Sequence, residues 1–341
     1  MARPQPVHNP PNPFESAHVE WEGPPPDVAL EVFEEHAKSI VSENRSPDVG
    51  FRYSVNPYRG CFHGCIYCYA RPSHQYLDFG AGTDFDRKIV VKVNAPELLE
   101  RRVRKASWTF EPIAFSGNTD CYQPLEASYG LTRRCLEVCL AHATPVGVIT
   151  KGTVIRRDIP LLAALHQRAG ARVSVSCAFA DDADRKVFDP YAPPVEARFE
   201  TMRRLADAGV PVGVGCSPII PGVNDSQIPE ILGRAKEAGA RHAFMTLLRL
   251  PAEVKPYFEV RVDALLPGRA SKVKNGIREL RGGGANDARF HHRMRGRGAR
   301  WAAIEQLFAM HVRKLGLKAE EGDDDLGAPP TRRPRGQLDL F

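Results

Sequence analysis

The chain lacks any apolar run approaching the roughly 18 residues that a bilayer span requires. Its opening stretch, Met1 to Ser16, is proline-rich and has no apolar segment of the secretory type. Both absences point to a cytoplasmic protein with no membrane partner. Cysteine is scarce, with eight in 341 residues. That is too few for a disulfide scaffold of this length, and three of the eight crowd into eight residues. In a reducing compartment such clustering points to metal rather than to disulfides. A strong charge of either sign is also missing. The 47 Lys and Arg against 41 Asp and Glu leave a net +6, which permits a nucleic-acid partner without demanding one. No internal repeat is evident.

The charge that is present is unevenly placed. Residues 271–300 hold nine Lys and Arg against two acidic residues, a net of +7. There Arg289, Arg293, Arg295 and Arg297 interleave with Phe290, His291 and His292, a mixture suited to phosphate contacts and base stacking. The composition divides the chain into an N-terminal arm, partly disordered (1–50), a core (51–250), a basic helical extension (251–318) and a disordered tail (319–341). The tail ends on Gln337, Leu338, Asp339, Leu340 and Phe341, an apolar string resembling the short peptides that dock on the bacterial sliding clamp.

Within the core, short β-branched runs alternate with amphipathic patterns. The spacing predicts strands over 51–55, 113–115, 146–150, 173–177, 210–215 and 242–248, and helices over 95–104, 127–141, 159–169, 195–208 and 227–238. Gly170, Gly209 and Gly239 stand where helices should stop. The strands read as near-continuous apolar runs, which predicts a parallel sheet buried on both faces. Six βα units imply an α/β partial barrel, short of the eight of a closed one. In such architectures function gathers at the C-terminal ends of strands.

The cysteines stand there. Cys61, Cys65 and Cys68 lie in a loop directly after the first predicted strand, spaced Cys-x3-Cys-x2-Cys. Soft thiolates at this spacing suit an iron–sulfur cluster, zinc or Cu(I). A structural zinc site usually wants a fourth ligand, and His63 between the first two cysteines is poorly placed to provide it. Three ligands on a four-iron cluster leave one iron open. A zinc knuckle or a non-catalytic zinc or iron–sulfur module binding nucleic acid is the competing reading.

The spacing, and the surrounding run from Asn56 to Pro72, resemble the radical SAM superfamily, and within it the spore photoproduct lyase-like ("DNA repair photolyase") branch. Further segments of the same likeness are 116–126, 149–152, 173–176, 218–225 and 286–298. The resemblance implies a (β/α)6 radical SAM barrel, a [4Fe-4S] cluster on the three cysteines, S-adenosylmethionine on the open iron and a 5′-deoxyadenosyl radical. It implies an external electron donor such as flavodoxin or ferredoxin, and a nucleic-acid substrate, with a peptide or small molecule as the alternative. Carried over residue by residue, Tyr67 and Tyr69 flank the last cysteine, and one of them, or Cys121, relays hydrogen. Lys151 meets the cofactor carboxylate. Thr119 and Ser174 or Ser176 supply polar contacts, and Asn118 and Asp120 bind the amino group or ribose. Arg198 either reaches the cofactor or answers Asp181, Asp182 or Glu200 on the surface. The branch's hydrogen-donating cysteine falls on Gly117 here. Cys135 and Cys139 are expected in the core, and Cys177 and Cys216, at strand ends, are candidates to line the pocket.

Overall fold

The computed structural model describes residues 29–319. The clamp-docking string at residues 337–341 therefore lies outside the described residues. In chain order the strands are β1 (Glu31–Glu35), β2 (Val41–Glu43), β3 (Tyr53–Val55), β4 (Tyr58–Arg59), β5 (Lys88–Lys92), β6 (Ile113–Phe115), β7 (Val146–Thr150), β8 (Ala171–Ser176), β9 (Val212–Ile219), β10 (His242–Leu247) and β11 (Lys318–Ala319). The helices are α1 (Thr83–Arg87), α2 (Ala95–Val103), α3 (Glu126–Tyr129), α4 (Leu131–Ala141), α5 (Ile159–Arg168), α6 (Asp182–Phe188), α7 (Val195–Asp207), α8 (Ile228–Glu237), α9 (Val254–Leu265), α10 (Ala270–Leu280) and α11 (Gly298–Lys314).

Eight strands form one sheet in the order β11-β10-β9-β8-β7-β6-β3-β2. Every neighbouring pair is parallel except β2 with β3. The order is linear, so the sheet is a partial barrel, and β3 and β6 to β10 are its six expected strands. The predicted helix over 127–141 is two helices, divided at Gly130 (φ 62°). Residues 31–43, read as part of an arm, contribute strands to both sheets of the protein.

The sheet is not buried on both faces by apolar side chains. Its residues alternate. Val173 and Val175 of β8, Val212 and Val214 of β9, and Ile113 and Phe115 of β6 face outward into the main core beneath the helices. The residues between them, Ala114, Gly147, Arg172, Ser174 and Ser176, line a cavity inside the barrel. Small and polar inward positions leave that interior hollow, whereas most barrels fill theirs with branched side chains. The same parity turns Cys177 and Cys216 outward. Both are buried in the core rather than in the pocket, as are Cys135 and Cys139.

A second, three-stranded sheet, β1-β5-β4, backs the cysteine loop. His74 is fully buried beneath it. One ring nitrogen meets the Lys88 carbonyl at 2.8 Å, and the other, Nδ1, has no hydrogen-bond partner among the described residues. Burial holds its pKa down at about 4. The unfolded chain takes up this proton near pH 6.5 and the folded chain does not, so stability present above about pH 6.5 is lost as the pH falls toward 4. The linkage is worth roughly 3 kcal/mol between pH 7 and pH 4. We expect His74→Gln to lose that much less stability over this range, as measured by urea unfolding at both pH values. Parallel losses for the two proteins would show that His74 stays neutral in the unfolded chain or titrates normally in the fold.

Candidate functional site

The cysteine loop runs from β4 to the 3-10 turn Arg71–Leu77. Two glycines give it its shape. Gly60 (φ 79°) and Gly64 (φ 65°) each precede a cysteine in a left-handed conformation that favours glycine. A Cβ on Gly60 would stand 2.9 Å from the Phe85 carbonyl, and one on Gly64 2.7 Å from the Tyr191 ring. Backbone bonds then fix the cysteines, from Cys61 N to the Phe85 carbonyl (2.9 Å) and from Ile66 N to the Phe188 carbonyl (3.0 Å). Gln123 ties the loop to the β6 side, accepting from Phe62 N (3.0 Å) and donating to the Gly60 carbonyl (3.1 Å).

The residue holding the loop from beneath is Arg71. Its guanidinium is fully buried and donates to the carbonyls of Cys65 (2.9 and 3.1 Å), Ala81 (3.2 Å) and Gly82 (2.7 Å) and to the Asp86 carboxylate (2.8 Å). It also lies 4.1 Å from the Tyr257 ring centroid. The sequence places Arg71 in the loop but carries no sign that four acceptors converge on it.

Cys61, Cys65 and Cys68 all line the same cavity, an open space of about 1220 Å3. Tyr67, Tyr69, Asn118, Thr119, Asp120, Lys151, Ser174 and Ser176 line it with them, so the expected site residues other than Cys121 and Arg198 share one wall or mouth. His63 lines the same cavity beside Cys61, with its Nδ1 3.4 Å from Asp120. Among the described residues no three His, Cys, Asp or Glu side chains converge on a point one metal ion would occupy. The donor set therefore fits a larger cluster with one position free of protein better than it fits a closed zinc site.

The family model of the radical SAM superfamily matches residues 55–235, just over half of the chain. This chain belongs to the radical SAM superfamily. An uncharacterised protein of Mycobacterium tuberculosis is 39% identical over 210 residues, 61% of this chain and 62% of the relative. This chain thus aligns with less than two thirds of the length of that relative. An uncharacterised protein of Methanocaldococcus jannaschii is 28% identical over 231 residues, 67% of this chain and 83% of the relative. Among solved structures, spore photoproduct lyase complexed with dinucleoside spore photoproduct superposes with a TM-score of 0.63 at 15% identity, over 88% of this chain and 87% of that one. A variant of the same lyase with bound AdoMet gives 0.62 at 16% identity, over 85% and 81%. At these identities the likeness is one of fold.

Within this radical SAM site the side chains divide by what already holds them. Asp120 is a hub. Its carboxylate accepts from Thr150 Oγ1 (2.6 Å), Lys151 N (2.8 Å) and Tyr122 N (2.9 Å). Burial acts against its charge, but His63, Thr150 and the Lys151 amide together hold its pKa down at about 2. Its oxygens are thus engaged in tying the ends of β6 and β7 together. Thr119 donates to the Tyr58 carbonyl (2.7 Å) and Asn118 to Ser73 Oγ (3.1 Å). Lys151 directs its ammonium toward the Tyr67 ring, 5.6 Å from the centroid. Burial disfavours its charge, yet Cys65 and Asp189 keep its pKa raised.

Arg198 meets neither expectation. It does not line the cavity and does not pair with Asp181, Asp182 or Glu200. Buried at the start of α7, it donates to both the Ser176 carbonyl (3.0 Å) and Asp189 (3.2 Å). Asp189, fully buried, also accepts from the Tyr67 hydroxyl. The chain Arg198–Asp189–Tyr67 therefore positions the tyrosine between two cysteines of the loop. Asp189 stands beyond α6 in a polar stretch with many acids, and nothing local singles it out.

Cys121 also departs from its expected role. It is fully buried in the main core, outside the cavity lining, with its carbonyl accepting from Thr132 (2.7 Å). The residue does not line the cavity that the three loop cysteines line. Tyr69 does line it, half-exposed, with its hydroxyl donating to the Gly117 carbonyl (3.0 Å). A Cβ on Gly117 would meet Ser54 Cβ at 3.2 Å, so the position is snug but not closed to a side chain.

The basic segment forms the rim of the same cavity, through His291, Arg293, Met294 and Arg295. It is not a loose basic loop. Arg281 donates to the carbonyls of Leu248, His292, Arg293 and Arg295. Arg293 pairs with Asp48 and Ser46 of the 44–51 loop, bridging the two edges of the open barrel. Arg289 and Arg297 share Asp287.

Proposed function

We propose that this protein is a radical SAM enzyme that acts on a nucleic acid, DNA in the first instance. The observation that carries this reading is the meeting of three cysteines, a cationic strand-end lysine and a basic rim on one cavity of about 1220 Å3. Cys61, Cys65 and Cys68 would hold a [4Fe-4S] cluster, and Lys151 would meet the carboxylate of S-adenosylmethionine as a charge-assisted donor. Ser174 and Ser176, which line the cavity, are suited to the rest of the cofactor. When bound, these groups supply a 5′-deoxyadenosyl radical able to take hydrogen from substrate, with electrons from a donor such as flavodoxin or ferredoxin. Tyr69 is the side chain best placed to relay hydrogen.

The test has two parts. Anaerobic protein reduced with S-adenosylmethionine should release 5′-deoxyadenosine. Single-stranded DNA should bind with a salt dependence set by the rim. Changing Arg293 and Arg295 to Gln should lower the slope of log affinity against log salt by about one for each phosphate the rim no longer neutralises. An unchanged slope would remove nucleic acid as the substrate. A peptide or small-molecule substrate is the second reading, favoured by the carboxylates that already neutralise Arg289, Arg293 and Arg297.

A further inference from the structure

Arg249 lines the cavity with Arg293 and Arg295, and it stands apart from them and from the arginines further along the basic segment. Arg289, Arg293, Arg295, Arg297 and Arg300 each have a carboxylate within ion-pair distance. Arg249 has none among the described residues. Its Nε is buried and, among the described residues, without a hydrogen-bond partner. Its guanidinium does meet the Met294 sulfur at 4.0 Å, a weak acceptor. A guanidinium carries five donors and accepts nothing, so this one is left short of acceptors in a partly desolvated place.

The side chain is nevertheless held where it would be useful. Arg249 follows the end of β10. The residue before it is pinned from both sides, Leu248 N donating to the Ile219 carbonyl (3.0 Å) and the Leu248 carbonyl accepting from Arg281 (2.6 Å). Leu247 N donates to the Met294 carbonyl (2.9 Å), which fixes the rim against the same strand end. The guanidinium lies 5.6 Å from the Tyr69 ring centroid and lines the cavity that Cys68 and Lys151 also line. Burial and then neighbouring Arg293 lower the Arg249 pKa, with Tyr69 and Asp48 acting the other way. His291 on the same rim keeps a left-handed backbone (φ 64°), an uncommon conformation for a non-glycine residue.

We propose that Arg249 is a phosphate-binding residue of the substrate site, holding one phosphodiester of a nucleic-acid strand at the cavity mouth beside Tyr69. This rests on the nucleic-acid reading above and locates it. The planar fork of arginine matches two oxygens of a phosphate with two parallel hydrogen bonds. The half-exposed Tyr69 ring next to it gives the attached base a surface to stack on. A phosphate there would place its own sugar or base within the cavity, toward the cysteines, while the flanking strand runs over the basic rim.

The experiment compares two fluorescent single-stranded DNAs of one sequence by anisotropy with the full chain, one with phosphodiester and one with neutral methylphosphonate linkages. Wild type should prefer the phosphodiester by at least tenfold at low salt. Arg249→Gln should lose tenfold or more on the phosphodiester and little on the methylphosphonate. Arg249→Lys, which keeps the charge without the fork, should fall between. Arg104→Gln, at the exposed end of α2, should match wild type. Wild-type preference that survives intact in both Arg249 variants overturns this assignment and leaves the nucleic-acid reading standing. No preference in wild type overturns both. Release of 5′-deoxyadenosine, followed in the same preparations, reports on the radical chemistry independently of either outcome.

Discussion

Replacing Cys65 by alanine is expected to abolish iron retention and to cut 5′-deoxyadenosine release by on the order of a thousandfold or more. Cys65 sits midway in the loop, and its carbonyl is the one that Arg71 clamps. Alanine keeps the backbone bonds, so the fold survives while one of three soft anionic ligands disappears. Two thiolates and no fourth protein ligand leave a four-iron cluster half-held. Anaerobically reconstituted wild type should carry roughly four irons per chain and the variant fewer than about one. Cys135→Ala supplies the control, because Cys135 packs in the core and touches no part of the cavity. That variant should keep its iron. A Cys65→Ala protein that retained iron and activity would remove the cluster from this loop.

Replacing Arg71 by methionine should be nearly as damaging by a different route. Arg71 and Asp86 form a buried ion pair. Removing one partner leaves a charge in a desolvated place and typically costs about 3 to 5 kcal/mol. Here the loss extends further. The carbonyls of Cys65, Ala81 and Gly82 also lose their donor, so the loop loosens just where the cysteines must be held. Urea unfolding should show the destabilisation, and iron content should fall with it. Arg71→Lys keeps the charge but cannot reach four acceptors at once, and should recover only part. Arg71→Met combined with Asp86→Leu separates the two effects. Removing both charges should restore much of the stability but not the iron. A single variant within about 1 kcal/mol of wild type would show that the clamp contributes little.

The two experiments bear on different parts of the site. Cys65 belongs to chemistry legible from spacing. Arg71 belongs to support that spacing does not reveal. The same division runs through the molecule. The six barrel strands and four of the five expected helices stand within a few residues of where periodicity puts them, because each is a local pattern with its own stop signal, while the fifth, over 127–141, divides at Gly130. The small sheet β1-β5-β4 is not visible in the sequence, since its strands lie far apart along the chain and two are only marginally apolar. The inward face of the barrel reads as apolar in the sequence and is not. Ser54, Ala114, Gly147 and Ser174 alternate with larger apolar residues, and a short run of small residues resembles a buried strand until the partners on each side are known.

Arg198, Cys121 and Asp189 show the same limit at single residues. Each is a polar or reactive group whose role depends on which way a strand or helix turns it. Cys121 follows Asp120 in sequence, yet the turn at the end of β6 sends one side chain to the cavity and the other into the core. Arg198 and Asp189 are nine residues apart and find each other only because α7 packs against the end of β8.

By itself the sequence determined the cysteine loop, the α/β alternation and the strand-end position of Lys151, because these follow from spacing and short-range periodicity. The tertiary structure alone decided that the barrel is hollow, that Arg71 and Asp189 hold the loop and its tyrosine, and that Arg249 faces the cavity with no carboxylate beside it among the described residues. Those are questions of which distant groups satisfy which buried charge, and only the packed chain answers them.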